Sequence, residues 1–235
     1  RSTPLYSSAA SDVYKRQVIG VSGGIDSAVT STICALTGMK TFVLSMPIKQ
    51  VKIQDDLSKT HCNWLEKKFK NIEVKNISLD SVFDQFQSAL SNYNSEHAYA
   101  NSRARIRMTT LYQVAGSSNG IVVGTGNKVE DFGVGFYTKY GDGGVDISPI
   151  ADCTKTQIWE MGKELKILDE IIKAEPTDGL WLDGRTDASQ LGMTYQELEE
   201  AMKDTKNKNH KKYLEIRKKN LHKMQPIPVC KMDDK

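Results

Sequence analysis

The apolar run Val18 to Val21 opens into Ser22-Gly23-Gly24, and from Ala28 to Leu36 apolar residues recur at helical spacing. A buried strand that turns through glycine straight into a helix commits the chain to an α/β architecture. The alternation then continues. Thr41 to Leu44 reads as a second strand, stopped by Pro47, and Gln54 to Phe69 as an amphipathic helix carrying Leu57, Cys62, Leu65 and Phe69 on one face. Val74 to Ile77 is a third strand, followed by a helix through Val82, Phe83, Phe86 and Leu90. Arg103 to Ala115 reads as helical and Ile121 to Val123 as a fourth strand. Strands alternating with helices predict a Rossmann-like parallel sheet flanked by helices on both faces. No repeat or low-complexity linker divides it, so residues 18–235 are expected to form a single domain.

After Gly124 the pattern changes. Gly133, Gly135, Gly141, Gly143 and Gly144 fall close together without a period, which predicts a long functional loop. Thr154 to Leu165 resumes as a helix, with Thr154 and Gln157 at capping-box spacing. Leu198 to about Leu221 reads as one lysine-rich helical region, its cations forming a solvated face, and Pro226 and Pro228 end any regular structure beyond it. Arg1 to Gln17 has neither a period nor the apolar core of a signal peptide, and its Ser7–Gln17 string resembles translated adapter sequence. That segment is set aside as a non-native, disordered tail.

A net charge of +3 suits a protein that handles phosphates without demanding nucleic acid. No apolar run approaches the roughly 20 residues needed to cross a bilayer, so no membrane partner is expected. Cys34, Cys62, Cys153 and Cys230 form no CxxC pair and read as reduced thiols rather than a zinc site or disulfide framework. The expected address is cytoplasmic.

Gly20-Val21-Ser22-Gly23-Gly24-Ile25-Asp26-Ser27 is the motif with chemical content. Glycines let the backbone approach an anion, and the helix N-terminus next to them supplies unpaired N–H groups and partial positive charge. It is neither a Walker A loop nor the GxGxxG fingerprint. Asp26 is either a capping carboxylate or a metal ligand. The string resembles the PP-loop of the N-type ATP pyrophosphatases, which implies an adenine nucleotide alpha hydrolase-like fold. Further blocks narrow the resemblance: Asn101-Ser102-Arg103-Ala104-Arg105-Ile106-Arg107-Met108, Gly124 to Glu130, Gly135 to Asp146, and Ser148-Pro149-Ile150. In order and spacing they look like the NAD synthetase family of the ammonia-using type, from Val18 almost to the C-terminus.

The resemblance implies residue roles. ATP would lie on Gly20 to Ser27 with Thr125, Lys155 and Thr177, and Asp26 and Glu130 would hold Mg2+. Deamido-NAD would meet Arg105, Lys139, Asp146, His222 and Lys223, with His210-Lys211 as a second register for the His-Lys pair. Catalytic positions would be Asp142, Lys155 and Ser22. The nicotinate carboxylate would attack ATP, pyrophosphate would leave, and ammonia would displace AMP, with Asp142 receiving ammonium and taking its proton. A homodimer is also implied. Two features depart from the family: Ala188 stands where an acidic residue is usual, and Cys153 where an apolar one is common. The alternatives are the synthetase part of a longer glutamine-dependent enzyme, and a nucleotide-binding module without catalysis.

Overall fold

The computed structural model describes residues 14–177, 179–181 and 185–232. Four strands form one parallel sheet: β1 (Arg16–Gly20), β2 (Lys40–Ser45), β3 (Ile72–Asn76) and β4 (Gly120–Val123), in spatial order β3-β2-β1-β4. Val18 pairs with Phe42 on one side and Val122 on the other. β1 takes in Arg16 and Gln17, two residues of the segment set aside on sequence grounds. Backbone pairing with Lys40 and Gly120 makes few demands on the side chains, so these two polar residues extend the strand beyond its apolar run. The remaining tail residues to Val13 lie outside the described residues.

α1 (Ile25–Leu36) and α2 (Lys52–Lys68) cover one face, where Ile19, Val43 and Val123 meet Cys34, Cys62 and Leu65. α3 (Asp80–Ala89) and α4 (Glu96–Ser118) cover the other, where Val18, Leu44 and Val122 meet Phe83, Tyr99 and Ala115. Alternate residues of each strand therefore point to opposite, equally apolar layers, which is why the strands read as continuous hydrophobic runs. The fold class is the expected one.

The later half departs from its reading in two places. The glycine-rich stretch is not loop throughout: Lys128–Val134 winds into a π-helical segment. Its start is capped by the Asn127 side chain, which accepts from the amides of Val129 and Glu130. The lysine-rich region is not one helix but two, α8 (Tyr195–Lys203) and α9 (His210–Met224). Between them Asp204 accepts from the Lys206 amide and Asn207 from the Asn209 amide. Such short side-chain turns compete with helical hydrogen bonds and divide the run. α5 (Lys155–Glu164) carries the expected Thr154–Gln157 capping box, and α6 (Asp169–Ile172) and α7 (Asp187–Leu191) complete the chain order.

The basic residues of α9 do more than meet solvent. Arg217 donates to the carbonyls of Phe132 and Gly133, and Lys223 to those of Gly135 and Tyr137. These cations satisfy carbonyls that the end of the π-helical segment leaves open.

From β1 the chain moves outward through β2 to β3 and returns to β4 on β1's other flank. The connections leaving β1 and β4 therefore diverge and open a crevice at the carboxyl edge, where open α/β sheets bind ligands.

Candidate active site

The loop after β1 enters α1 through Gly24, an N-cap with no side-chain hydrogen bond. Two hydroxyls brace it: Ser27 donates to the Gly24 carbonyl at 2.9 Å and accepts from the Ser22 amide at 3.2 Å, while Ser22 accepts from the Gly24 amide at 3.3 Å. Gly23 has φ +93°, and a Cβ there would come within 2.7 Å of the Gln54 carbonyl oxygen. Only glycine fits. The bracing keeps the first α1 amides pointed into the crevice, ready for an anion.

Opposite them stands a buried charge cluster. Lys155, the first residue of α5, is 2% exposed, and its Nζ lies 2.5 Å from Asp26 Oδ2 and 2.8 Å from Glu130 Oε1. Its position is set by the capping box and by Glu199, which accepts from the Thr156 amide at 2.9 Å. Asn127 donates to Asp26 Oδ1 at 3.0 Å, so one asparagine joins the metal-candidate carboxylate to the segment that carries Glu130. Burial disfavours the Lys155 charge, but Asp26 and Glu130 outweigh it and hold the ammonium above the usual lysine range. Burial pushes Glu130 up, while the Lys155 charge and the hydrogen bonds of Lys155, Tyr195 and Asn127 bring it below the usual range. Asp26 is held above, because burial and Glu130 together exceed its share of Lys155.

Loop and cluster face one cleft of about 280 Å³. Gly20 to Ser27, Thr125, Glu130, Asp142, Lys155 and Thr177 all line it. The Thr177 hydroxyl accepts from the Gly179 amide and donates to the Arg185 carbonyl. Asp142 Oδ1 accepts from the Thr138 amide at 2.9 Å. Asp142 is exposed along the cleft wall, but the protein packed around its carboxyl group limits access to water and raises it to about 6; hydrogen bonds from Thr138 and its own amide oppose this, Glu130 adds to it, and Lys223 opposes it.

The residues assigned to the second substrate lie elsewhere. Among the described residues, Arg105, Lys139, Asp146, His222 and Lys223 are not part of the cleft lining. Three of them form a chain of contacts, Arg105 to Lys139 to His222, and Lys223 bonds two carbonyls of the same loop. Arg105 donates to the Lys139 carbonyl at 3.3 Å, Lys139 Nζ to the His222 carbonyl at 3.1 Å, and Lys223 to the Gly135 and Tyr137 carbonyls. Asp146 is apart from these: it accepts from the Val122 amide at 2.8 Å and the Tyr112 hydroxyl at 2.9 Å. His210, the second register, bonds the Ala201 carbonyl through Nδ1 at 2.7 Å.

Several residues of the site have no role assigned to them by the sequence. Asn127 is fully buried, Tyr195 is 6% exposed and Asp187 4%. Arg107 also lines the cleft, with Nε donating to the Met46 carbonyl and a terminal nitrogen to Gln50. Asp131, neighbour of Glu130, is raised to about 8 by burial and by the charges of Asp142, Glu130 and Asp26. The cysteines stay out of the chemistry. All four are free, and burial pushes the Cys34 and Cys62 thiols up to about 12. Among the described residues no helix is long and apolar enough to cross a membrane.

A parallel sheet that presents a hydroxyl-braced glycine loop, an uncapped helix start and a buried lysine between two carboxylates belongs to the phosphate-loop class of α/β proteins. The comparisons with known proteins give the family. The NAD synthase family model matches residues 5–235, and the chain belongs to that family. A protein named NH(3)-dependent NAD(+) synthetase from Methanosarcina acetivorans is 38% identical over 192 residues, covering 79% of this chain and 72% of its own. One of the same name from Thermoplasma volcanium is 36% identical over 219 residues, covering 89% and 87%. Among solved structures, the NMN synthetase from Francisella tularensis overlays with a TM-score of 0.87 at 32% identity, covering 97% of this chain and 94% of that one.

Proposed function

We propose that the chain is an ammonia-dependent ligase that forms NAD+ from deamido-NAD+ and ATP in NAD biosynthesis, releasing AMP and pyrophosphate. The observation that carries this reading is the meeting of the Gly20–Ser27 loop with the Asp26–Lys155–Glu130 cluster across one cleft. The names of the curated relatives support the choice of reaction.

The chain's own residues divide the chemistry. The α1 amides and the loop bind the phosphates that will leave, and the Lys155 ammonium stabilises the charge that grows on them as the nicotinate carboxylate attacks the α-phosphorus. In the second step ammonia attacks the acyl carbon and AMP departs. In this reading Asp142 receives ammonium and takes its proton, its raised carboxyl supporting proton exchange near neutral pH. Ser22 holds the loop through its hydroxyl and needs no nucleophilic role.

The donor set suits Mg2+. Asp26 and Glu130 are hard oxygen donors at the cleft wall, and among the described residues no cluster of three or more His, Cys, Asp or Glu offers a closed cage. Two carboxylates leave room for phosphate oxygens and waters, as Mg2+ prefers. The ion would neutralise phosphate charge beside Lys155. Arg105, Lys139, Asp146, His222 and Lys223 belong to the same proposal as the acceptor-binding group, as do a homodimer and a cytoplasmic address.

The overlay with the Francisella protein, named for the mononucleotide, supports a second reading in which the acceptor is nicotinate mononucleotide. The amide-forming chemistry is common to both. Purified protein given ATP, Mg2+ and ammonium with either acceptor tests the two. NAD+ from the dinucleotide at the higher kcat/KM supports the first reading, and preference for the mononucleotide replaces it by the second. Glutamine in place of ammonium is expected to give no product.

A further inference from the structure

Among the described residues, Tyr195 brings Lys155, Glu130 and Asp187 together on one side chain. It opens α8 just after a second capping box, Thr194 with Glu197, which fixes where its ring emerges. The Lys155 ammonium lies 4.6 Å from the ring centroid, over the ring. Trp159, on the same helix as Lys155, meets that ring edge-on with centroids 6.1 Å apart. The hydroxyl lies against Glu130 Oε1, the same oxygen that accepts from Lys155, and 2.7 Å from Asp187 Oδ2. A phenol has one proton, so two carboxylate oxygens share it.

Without this side chain the cluster would be one buried ammonium held by two carboxylates. Those three groups stand on three separate elements, α5, α1 and the π-helical segment, and without Tyr195 only Asn127, among the described residues, would tie the last two together besides Lys155 itself. A ring face stabilises an ammonium without competing for its hydrogen bonds, and the hydroxyl gives Glu130 a further anchor besides Lys155 and Asn127.

We propose that Tyr195 is a positioning residue of the phosphate-handling centre, its ring face fixing the Lys155 ammonium and its hydroxyl fixing Glu130 and joining it to Asp187. This rests on the reading of the cleft as a nucleotide site. It acts through Lys155 and Glu130 and touches no reacting atom, so its effect falls on ATP and not on ammonium.

The test compares Tyr195→Phe, which keeps the ring and removes the hydroxyl, with Tyr195→Leu, which removes both. Binding of α,β-methylene-ATP with Mg2+ to the full chain is measured by calorimetry, alongside turnover and the melting temperature. Tyr195→Phe is expected to weaken nucleotide binding and lower kcat by about tenfold, the scale of one hydrogen bond to a charged group. Its KM for ammonium and its melting temperature should stay close to wild type, and Tyr195→Leu should lose a further several-fold in binding. Tyr195→Phe with wild-type nucleotide binding, or a loss that only tracks a fallen melting temperature, would overturn the inference. A wild-type protein that binds the analogue but turns over no acceptor would instead overturn the proposed reaction, and the binding comparison would still decide the role of Tyr195.

Discussion

Two cationic regions of this molecule are built in opposite ways. Lys155 is buried, held by two carboxylates from residues 129 and 25 positions away, and anchored by a capped helix start. Arg105 is exposed and Lys139 half-buried, and they bond to backbone carbonyls on a loop and a C-terminal helix. A buried charge must be paired, so the first region is fixed before any ligand arrives. Carbonyl contacts of cations near the surface are exchanged cheaply with water or a phosphate, so the second can re-aim its charges on binding. Under the proposed function, the difference is that between a preorganised reaction centre and an adaptable recognition surface.

The largest expected contrast is between Lys155→Met and Lys139→Met. Removing Lys155 leaves two largely buried carboxylates without their cation, and should destabilise the fold by about 3 kcal/mol and abolish AMP formation. Lys139→Met should change stability by no more than about 0.5 kcal/mol and act on the KM of the acceptor. Chemical denaturation with parallel kinetics checks both. Equal destabilisation by the two variants would break the comparison.

Next in size is Asp142→Asn, expected to slow product formation at saturating ammonium by about 10²-fold or more, the usual worth of a positioned acid–base group. In the wild type the ionised form is the one that accepts a proton. Turnover at saturating ammonium should therefore rise with pH through about 6, where the Asp142 carboxyl ionises, and fall below it. A flat profile from pH 5 to 7 would remove Asp142 from that step.

A smaller effect sharpens the boundary between the regions. A Cβ on Gly126 would meet Asp131 Oδ2 at 1.9 Å, so Gly126→Ala must push the Asp131 side chain aside. The carboxylate is the end of a short side chain that can turn, so a loss of about 1–3 kcal/mol in thermal stability is expected. Turnover should fall less than in Asp142→Asn, and a larger loss would mean that Asp131 belongs to the reaction centre.

Legibility in the linear chain was local. The β1 loop could be read because strand, glycines and helix start are consecutive, and its expected contacts all face the cleft. The Thr154–Gln157 cap could be read for the same reason. Glu130 and Lys155 were reached only through resemblance, since nothing in a single exposed-looking helix lysine announces that its partners lie across the fold. Asn127 falls inside the Gly124–Glu130 block but, like Asp187 and Tyr195, receives no role from the linear chain, because its value comes from partners brought near by tertiary packing, with Tyr195 meeting Glu130 across 65 residues. The division of the lysine-rich run into α8 and α9 turns on Asp204 and Asn207, whose side chains bond amides two residues on, within a stretch from Lys203 to Lys212 that has no apolar residue to mark a helical face.

The central claim is that the loop and the Lys155 cluster activate a carboxylate by adenylation. Its most direct test uses an acceptor labelled with 18O in the carboxylate, incubated with ATP, Mg2+ and ammonium, with mass spectrometry of AMP and pyrophosphate as the readout. One carboxylate oxygen should leave in AMP while the other stays in the new amide. Label in pyrophosphate or orthophosphate, with unlabelled AMP, would contradict the account.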